Sequence, residues 1–414
     1  MKKRLLSLLL AGILVVCLFA GCGNSSSGQS GAGNTSGTNT GTEATSGDTG
    51  SPNASDGSDA SGTGSVKVGY NYFGSGSYAL LSLANNSKYA IEAIGDTAQG
   101  VDDNFSVEAM VSDIENMINA GCNGVIVWLP ADALYLTVAD ICADHKVPFV
   151  LNDKIPSDSA ILDELRQNPY FVGAVSPAND VYGTSIAEYA LSQGYQTCIV
   201  STAAVGDPSD TPRLEAFQAA FTAGGGTILD VLHADSSDGA PQQIEDALVA
   251  NPNPDFIYGT GSDYGAAAVT ALANAGNKTA AVLTSGLDAQ VLEYEADGKI
   301  QMVNGDYWVA GYFSAVLLLN YLHGNPIKDA SGNVPVINDI EPFVVPTEAL
   351  DIYKKCFIDE YCYSAEETQA MIGLSYDQFI QAVGEYSLEN RVQAKYAAGK
   401  VTADEVTAAG FTVN

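Results

Sequence analysis

The sequence predicts an α/β protein built as two doubly wound lobes, each a parallel sheet covered on both faces. Three observations lead there. Short apolar runs such as Val125-Ile126-Val127-Trp128 are continuous rather than alternating, as strands buried on both faces are. Stretches of helical period lie between them. The same strand–helix grammar also occurs twice, with 24 residues from Val125 to Phe149 and 25 from Phe256 to Ala281. Two units, each large enough to need its own core, mean two lobes with a cleft between them.

In order, Val66–Tyr70 reads as a strand and Tyr78–Ile94 as a helix. Val107, Met110, Val111, Ile114, Met117 and Ile118 share one helical face, and Ala120-Gly121 stops that helix. A strand at Val125–Trp128, a helix from about Asp132 to Ala143 and a strand at Pro148–Leu151 follow. The second unit reads as strand Thr197–Val200, helix Arg213–Ala223, strand Ile228–Leu232 and helix Gln242–Val249. Strand Phe256–Tyr258, helix Ser262–Ala275 and strand Ala281–Leu283 complete it. The stripe Tyr312, Val316, Leu319 and Leu322 belongs to a long helix as core, and Tyr376–Val383 and Glu389–Ala398 are helices of a C-terminal segment that either braces the lobes or forms a capping appendage.

Length and charge narrow the function. A chain of 414 residues implies two or three domains. Its net charge of −32 repels phosphate backbones, which argues against nucleic-acid binding. With 46% apolar and 9% aromatic residues there is material for large cores. The three histidines, His145, His233 and His323, are scattered, read as solvent-facing, and leave little for a metal site or a general base. No G-x-S-x-G elbow occurs, which weighs against a secreted α/β hydrolase. Cys122, Cys142, Cys198, Cys356 and Cys362 are odd in number and contain no C-x-x-C, so neither a disulfide framework nor a zinc knuckle is indicated. Cys356 and Cys362 either pair or stay free.

The N-terminus reads as an address. Lys2-Lys3-Arg4 precede an apolar run from Leu5 to Ala20, the length of a signal-peptide core and short of the roughly 20 residues a membrane span needs. Ala20-Gly21-Cys22 resembles the lipobox of bacterial lipoproteins, with Phe19 where leucine is usual; the resemblance implies lipidation of Cys22. A plain secretory signal with an incidental cysteine is the alternative. Gly, Ser, Thr and Asn make up 33 of the 43 residues from Gly23 to Ser65, too little apolar surface to offset chain entropy. This stretch is expected to be a tether with a root-mean-square reach of roughly 35–40 Å.

In open parallel sheets ligands sit beyond the carboxyl ends of the strands. Those positions hold Tyr72 and Phe73, Trp128 and Pro130, Asp153 and Lys154, Asp207 to Arg213, Asp235 and Ser236, Gly261 to Tyr264, Gly286 to Asp288, and Gly305 to Trp308. Aromatic faces among carboxylates and cations suit a sugar, whose C–H face stacks while its hydroxyls need donors and acceptors. Gly259-Thr260-Gly261-Ser262-Asp263-Tyr264-Gly265 invites a dinucleotide reading. It has one residue too many before the last glycine, and Asp263 would crowd a pyrophosphate, so no cofactor is expected.

Residues 65 to about 350 resemble a type I periplasmic (solute) binding protein of the ribose/galactose class that feeds ABC transporters. The resemblance is carried by Asn123–Pro130, Lys146–Lys154, Asn179–Gly183, Arg213–Phe217, Asp297–Ile300 and Gly311-Tyr312, in that order and spacing. It implies three crossings between the lobes, near Ser176, near Gly305 and around Pro335–Phe343, and hinge closure on one small polar ligand. The segments then expected are a signal peptide at 1–21 and a lipidated cysteine with linker at 22–65. One lobe follows at 66–176 with 306–340, the other at 177–305, then a return segment and C-terminal helical extension at 341–414.

The same resemblance implies that Asp153 binds sugar hydroxyls, with Lys154 in place of the usual arginine, and that Arg213 is the cleft arginine. Tyr72, Tyr78 and Trp128 fall at positions of polar contact and stacking. Gly261, Gly286 and Gly305 stand where asparagine, aspartate and glutamine are usual, each with an acid close behind: Asp263, Asp288 and Asp306. Either the loops shift to present those carboxylates or the pocket is wider. The implied partners are a carbohydrate-like ligand, an ABC permease and, through the lipid alone, the cell membrane, with the extracytoplasmic protein a monomer without metal or cofactor. A ligand sensor presenting its closed form to a membrane receptor kinase is the rival reading. A transcriptional repressor of the same fold is set aside because an export signal stands where its DNA-binding helices would be.

Overall fold

The computed structural model describes residues 64–413 except Asp235. The segments read as signal peptide, lipidated Cys22 and linker lie outside the described residues, apart from Gly64 and Ser65. Asp235 lies outside them too.

The first lobe runs β1 (Lys67–Tyr72), α1 (Tyr78–Ala93), β2 (Thr97–Asp102), α2 (Val107–Asn119), β3 (Gly124–Val127), α3 (Asp132–His145), β4 (Phe149–Asn152), α4 (Ser159–Leu165) and β5 (Phe171–Pro177). The second runs α5 (Asn179–Ser192), β6 (Thr197–Ala203), α6 (Asp210–Ala223), β7 (Thr227–Ala234), α7 (Ala240–Ala250), β8 (Phe256–Gly259), α8 (Ser262–Ala275), β9 (Ala281–Ser285), α9 (Ala289–Ala296) and β10 (Met302–Gly305). Then come α10 (Val309–Leu322), β11 (Val336–Ile340) and β12 (Phe343–Val344). The appendage holds α11 (Leu350–Tyr353), α12 (Ala365–Ala370), α13 (Tyr376–Gly384), α14 (Leu388–Ala397) and α15 (Ala403–Ala408).

Two six-stranded sheets result, ordered β11-β5-β4-β3-β1-β2 and β12-β10-β9-β8-β6-β7. Pairing within each is parallel except that β12 runs antiparallel to β10. In both sheets the strand order reverses beside the first strand, and that switch point opens a crevice at the carboxyl ends. The chain crosses between sheets at 177–179, 305–309 and 340–343. The Ala178 amide donates to the Ile340 carbonyl at 2.9 Å, tying the first crossing to the third.

The strands that sequence reading passed over have physical reasons for their silence. β2 (TAQGVD) is an edge strand whose residues are all exposed or half-buried, so it carries no apolar run. β5 is buried throughout, but Gly173, at φ +146°, and Pro177 break its pattern. Helix α6 starts at Asp210, three residues earlier than read, which puts an acid one turn ahead of Arg213 at the positive end of the helix. His323 is exposed, as expected, while its Nε2 lies 2.7 Å from the buried Asp96 carboxylate. All five body cysteines are unpaired, including Cys356 and Cys362.

Helix α10 (VAGYFSAVLLLNYL) is apolar almost all round because it is covered on both sides. Its Ser314 hydroxyl donates to the Leu151 carbonyl of β4 at 3.2 Å. On the other side the Tyr312 ring stacks on Tyr363 at 4.6 Å and its hydroxyl reaches Thr368, while Asn320 Nδ2 donates to the Met371 carbonyl. The appendage is thus part of the first lobe's core, not an attachment to its surface. Gly311 sits where α10 crosses α1: a Cβ there would stand 2.3 Å from the Leu83 carbonyl oxygen. Replacing Gly311 by alanine would raise helix propensity by up to about 1 kcal/mol in an open helix. Here the forced separation of the two helices should win, with Gly311→Ala losing about 1–3 kcal/mol in urea denaturation. A stabilised variant would refute this account of the crossing.

Candidate ligand-binding cleft

The carboxyl ends of the two sheets meet through side chains, and the residues after each strand decide what they offer. β3 ends at Val127, so Trp128 follows directly. The Asn71 side chain from β1 fixes it, accepting from the Trp128 amide at 2.9 Å and donating to its carbonyl at 3.0 Å. The Trp128 ring stacks on Phe73 at 5.3 Å, and its Nε1 donates to Asp153 Oδ2 at 3.0 Å. Asp153 follows β4 with φ +65°, a left-handed conformation that costs an aspartate roughly 1–2 kcal/mol. That turn aims its carboxylate at Trp128. Its other oxygen, Oδ1, is buried with no partner among the described residues.

Lys154 does not stand free to meet a ligand. Its Nζ lies 2.6 and 2.7 Å from the two carboxylate oxygens of Asp207 in the other lobe, and 4.9 Å from the Trp128 ring centroid. The pair is largely buried, so its attraction is little screened, but its desolvation is large too. Burial pushes the Asp207 carboxyl up, yet the Lys154 ammonium and the Asp210 and Ser209 amides together hold it below its ordinary range. Neighbouring Asp210 is pushed up, by burial and then by Asp207. A second contact joins the lobes: Ser77 Oγ donates to Asp263 Oδ2 at 2.8 Å.

Arg213 is buried and held from four sides. Its Nε donates to Asn179 Oδ1 at 2.8 Å and its Nη1 to the Thr260 carbonyl at 2.9 Å. Its guanidinium lies 4.6 Å from the Tyr182 ring and 5.1 Å from the Tyr307 ring. Thr260 in turn donates to Asp210 at 2.5 Å. The glycines of the 259–265 turn serve packing: a Cβ on Gly259 would lie 2.3 Å from the Gly265 amide, and one on Gly265 would strike Thr284.

The fold therefore brings Trp128, Asp153, Lys154 and Arg213 into one charged and aromatic cluster and places Asp263 against the opposite lobe. It does not bring the other three expected residues there. Tyr72 stacks on Tyr70 at 6.3 Å and has Asp102 and Asp103 as charged neighbours. Tyr78 is 39% exposed and lines a separate cavity of about 210 Å³ with Asn85, Trp308, Phe357 and Tyr361, because that face of α1 meets the appendage. Asp306 points away from the cleft and accepts from Tyr353 at 2.7 Å and from Tyr386. Its neighbour Tyr307 turns the other way, onto Arg213, with Asp153, Asp263 and Asp288 as its acidic neighbours. Sequence reading flagged the segment but chose the acid; opposite side-chain directions at adjacent residues were the missing information. Ser77 was missed for a like reason, and Asp207 and Tyr182 lay in flagged segments without a role, since their partners are distant in the chain. His233, the histidine nearest a strand end, is exposed, and its Nδ1 lies against the Ala203 carbonyl.

Asp103, behind Asn71, is buried with one oxygen unpartnered among the described residues, and burial lifts its carboxyl to about 7. The folded protein then holds a proton that the unfolded chain has lost above about pH 4, so this group's effect makes stability fall as pH rises from about 4 to 7. Melting temperature should drop between about pH 5 and pH 8. Asp103→Asn should flatten that slope, chiefly by raising the value at pH 8. An unchanged slope would show that Asp103 is ionised at neutral pH.

A family model described as a periplasmic binding protein domain matches residues 75–326. No curated protein matches the chain. Among solved structures the chain is similar to a galactofuranose binding protein, with 15% identity, TM-score 0.60, and coverage of 75% of this chain and 100% of that one. It is likewise similar to an ABC transporter solute binding protein from Bacillus halodurans C-125 with bound myo-inositol, at 14% identity, TM-score 0.59, and 71% and 98% coverage. The periplasmic component of the arabinose ABC transporter from Shewanella sp. ANA-3, bound to L-arabinofuranose, gives 16% identity, TM-score 0.59, and 78% and 99% coverage. At these identities the likeness is one of fold: two parallel-sheet lobes joined by three crossings.

Proposed function

Because the chain belongs to the periplasmic binding protein domain family, whose members bind solutes and are not enzymes, we propose that it captures one small polar ligand of the carbohydrate class between its lobes. It then delivers the ligand to an ABC importer while held to the outer face of the cell membrane by a lipid on Cys22. The observation that carries the reading is the cleft itself. Stacked aromatic rings, a buried arginine and a buried aspartate with an unused oxygen are assembled from both lobes. An unpartnered buried acceptor costs about 1–3 kcal/mol, and a ligand hydroxyl donating to Asp153 Oδ1 removes that cost. Trp128, backed by Phe73, and Tyr307, against Arg213, bring aromatic rings to this cleft, and Lys154 acts by drawing Asp207 across it rather than by touching the ligand. Similar folds with galactofuranose, inositol and arabinofuranose in their names support the ligand class.

Isothermal titration against D-galactose, L-arabinose, myo-inositol and a nucleoside should show binding to at least one sugar or polyol. Asp153→Asn should then weaken it by about tenfold or more, as loss of a charge-assisted hydrogen bond does. Silence across the panel, or binding of the nucleoside alone, would overturn the carbohydrate assignment. Membrane attachment is tested separately in the producing bacterium. The full chain should partition into the detergent phase, and Cys22→Ala should move it to the aqueous phase. Aqueous partitioning of the unaltered protein would remove the lipid anchor from the proposal.

A further inference from the structure

Two of the three crossings lie side by side. β12 pairs with β10, setting Gly305 opposite Phe343. Asp306 opens the second crossing and Phe343 closes the third. Both are held by the same two appendage residues. Tyr353 and Tyr386 donate their hydroxyls to the two oxygens of the Asp306 carboxylate. Their rings also pack on Phe343, Tyr353 edge-on at 6.5 Å and Tyr386 stacked at 5.0 Å. Asp306 is a non-glycine residue at φ +81°, a conformation that persists only where its surroundings impose it. Phe357, stacked on Tyr353 at 4.9 Å, backs the cluster, and Phe313 of α10 meets Tyr386 edge-on.

We propose that the appendage is a hinge brace: through Tyr353 and Tyr386 it grips the second and third crossings together and limits how far the lobes can part. Hinge opening works by dihedral changes in a few residues of the crossings. Here those residues carry a buried carboxylate bonded to two fixed hydroxyls and a ring packed among three others. Wide opening must break contacts that are all present when Lys154 meets Asp207 and Ser77 meets Asp263. The brace therefore favours the near-closed arrangement. This rests on the reading of a closing cleft, but it concerns the ligand-free equilibrium.

The experiment is a spin-label distance distribution on the ligand-free full-length protein, with labels at Lys146→Cys in the first lobe and Val249→Cys in the second. Both positions are exposed, and the native body cysteines are buried. The braced protein should show one narrow distribution. Tyr353→Phe and Tyr386→Phe keep the rings and remove the hydroxyls. Each should raise the open-to-closed ratio about fivefold, as the loss of one buried hydrogen bond does, and the double variant should show a separate, longer distance. Thr368→Val removes the Tyr312 hydrogen bond elsewhere in the appendage. It should lower the melting temperature without altering the distribution, which separates bracing from general stability. If the phenylalanine variants leave the distribution unchanged, or Thr368→Val shifts it as much, the brace is refuted. Because no ligand is added, that outcome is distinguishable from a failure of the proposed function.

Discussion

A lysine ammonium from one lobe and a carboxylate from the other can lie 2.6 Å apart only if both give up water, and that exchange governs the cleft. The Lys154–Asp207 pair fixes the distance between the sheet ends and puts an ammonium over the Trp128 ring. Within it Lys154 helps to depress Asp207, while burial and then Asp207 raise neighbouring Asp210. Buried pairs of this kind contribute little net stability, since desolvation offsets attraction. What the pair supplies is geometry: an arrangement in which Asp153, Arg213 and Tyr307 lie buried beside one another.

The second organising feature is the burial of α10. A helix this apolar cannot border solvent, and the 345–413 region exists in contact with it, through Tyr363, Thr368, Met371 and Phe379. The same segment reaches the crossings at Asp306 and Phe343. Core packing and contacts to two of the crossings therefore come from one stretch of chain.

Conformational strain collects at the strand ends. Asp153 and Asp306 both follow a parallel strand with positive φ, and each has a buried carboxylate. One is turned onto the cleft tryptophan and the other onto the appendage tyrosines. The same local solution thus turns a carboxylate onto Trp128 at one strand and onto the appendage at another.

Continuous apolar runs and helical periodicity were enough to read the two-lobe α/β architecture, because buried parallel strands and amphipathic helices leave patterns within ten residues of chain. The strand-end rule likewise pointed to Trp128, Asp153, Lys154 and Arg213 as neighbours. Three things lay beyond it. An edge strand such as β2 has no apolar pattern to detect. The direction of a side chain after a strand depends on the dihedral there, so Asp306 and Tyr307 could not be told apart. Partners 53 and 186 residues away, Lys154 with Asp207 and Ser77 with Asp263, exist only once two sheets face each other. Local sequence determines which segments become strands and helices; long-range contact decided which of their exposed ends became a cleft and which became a hinge.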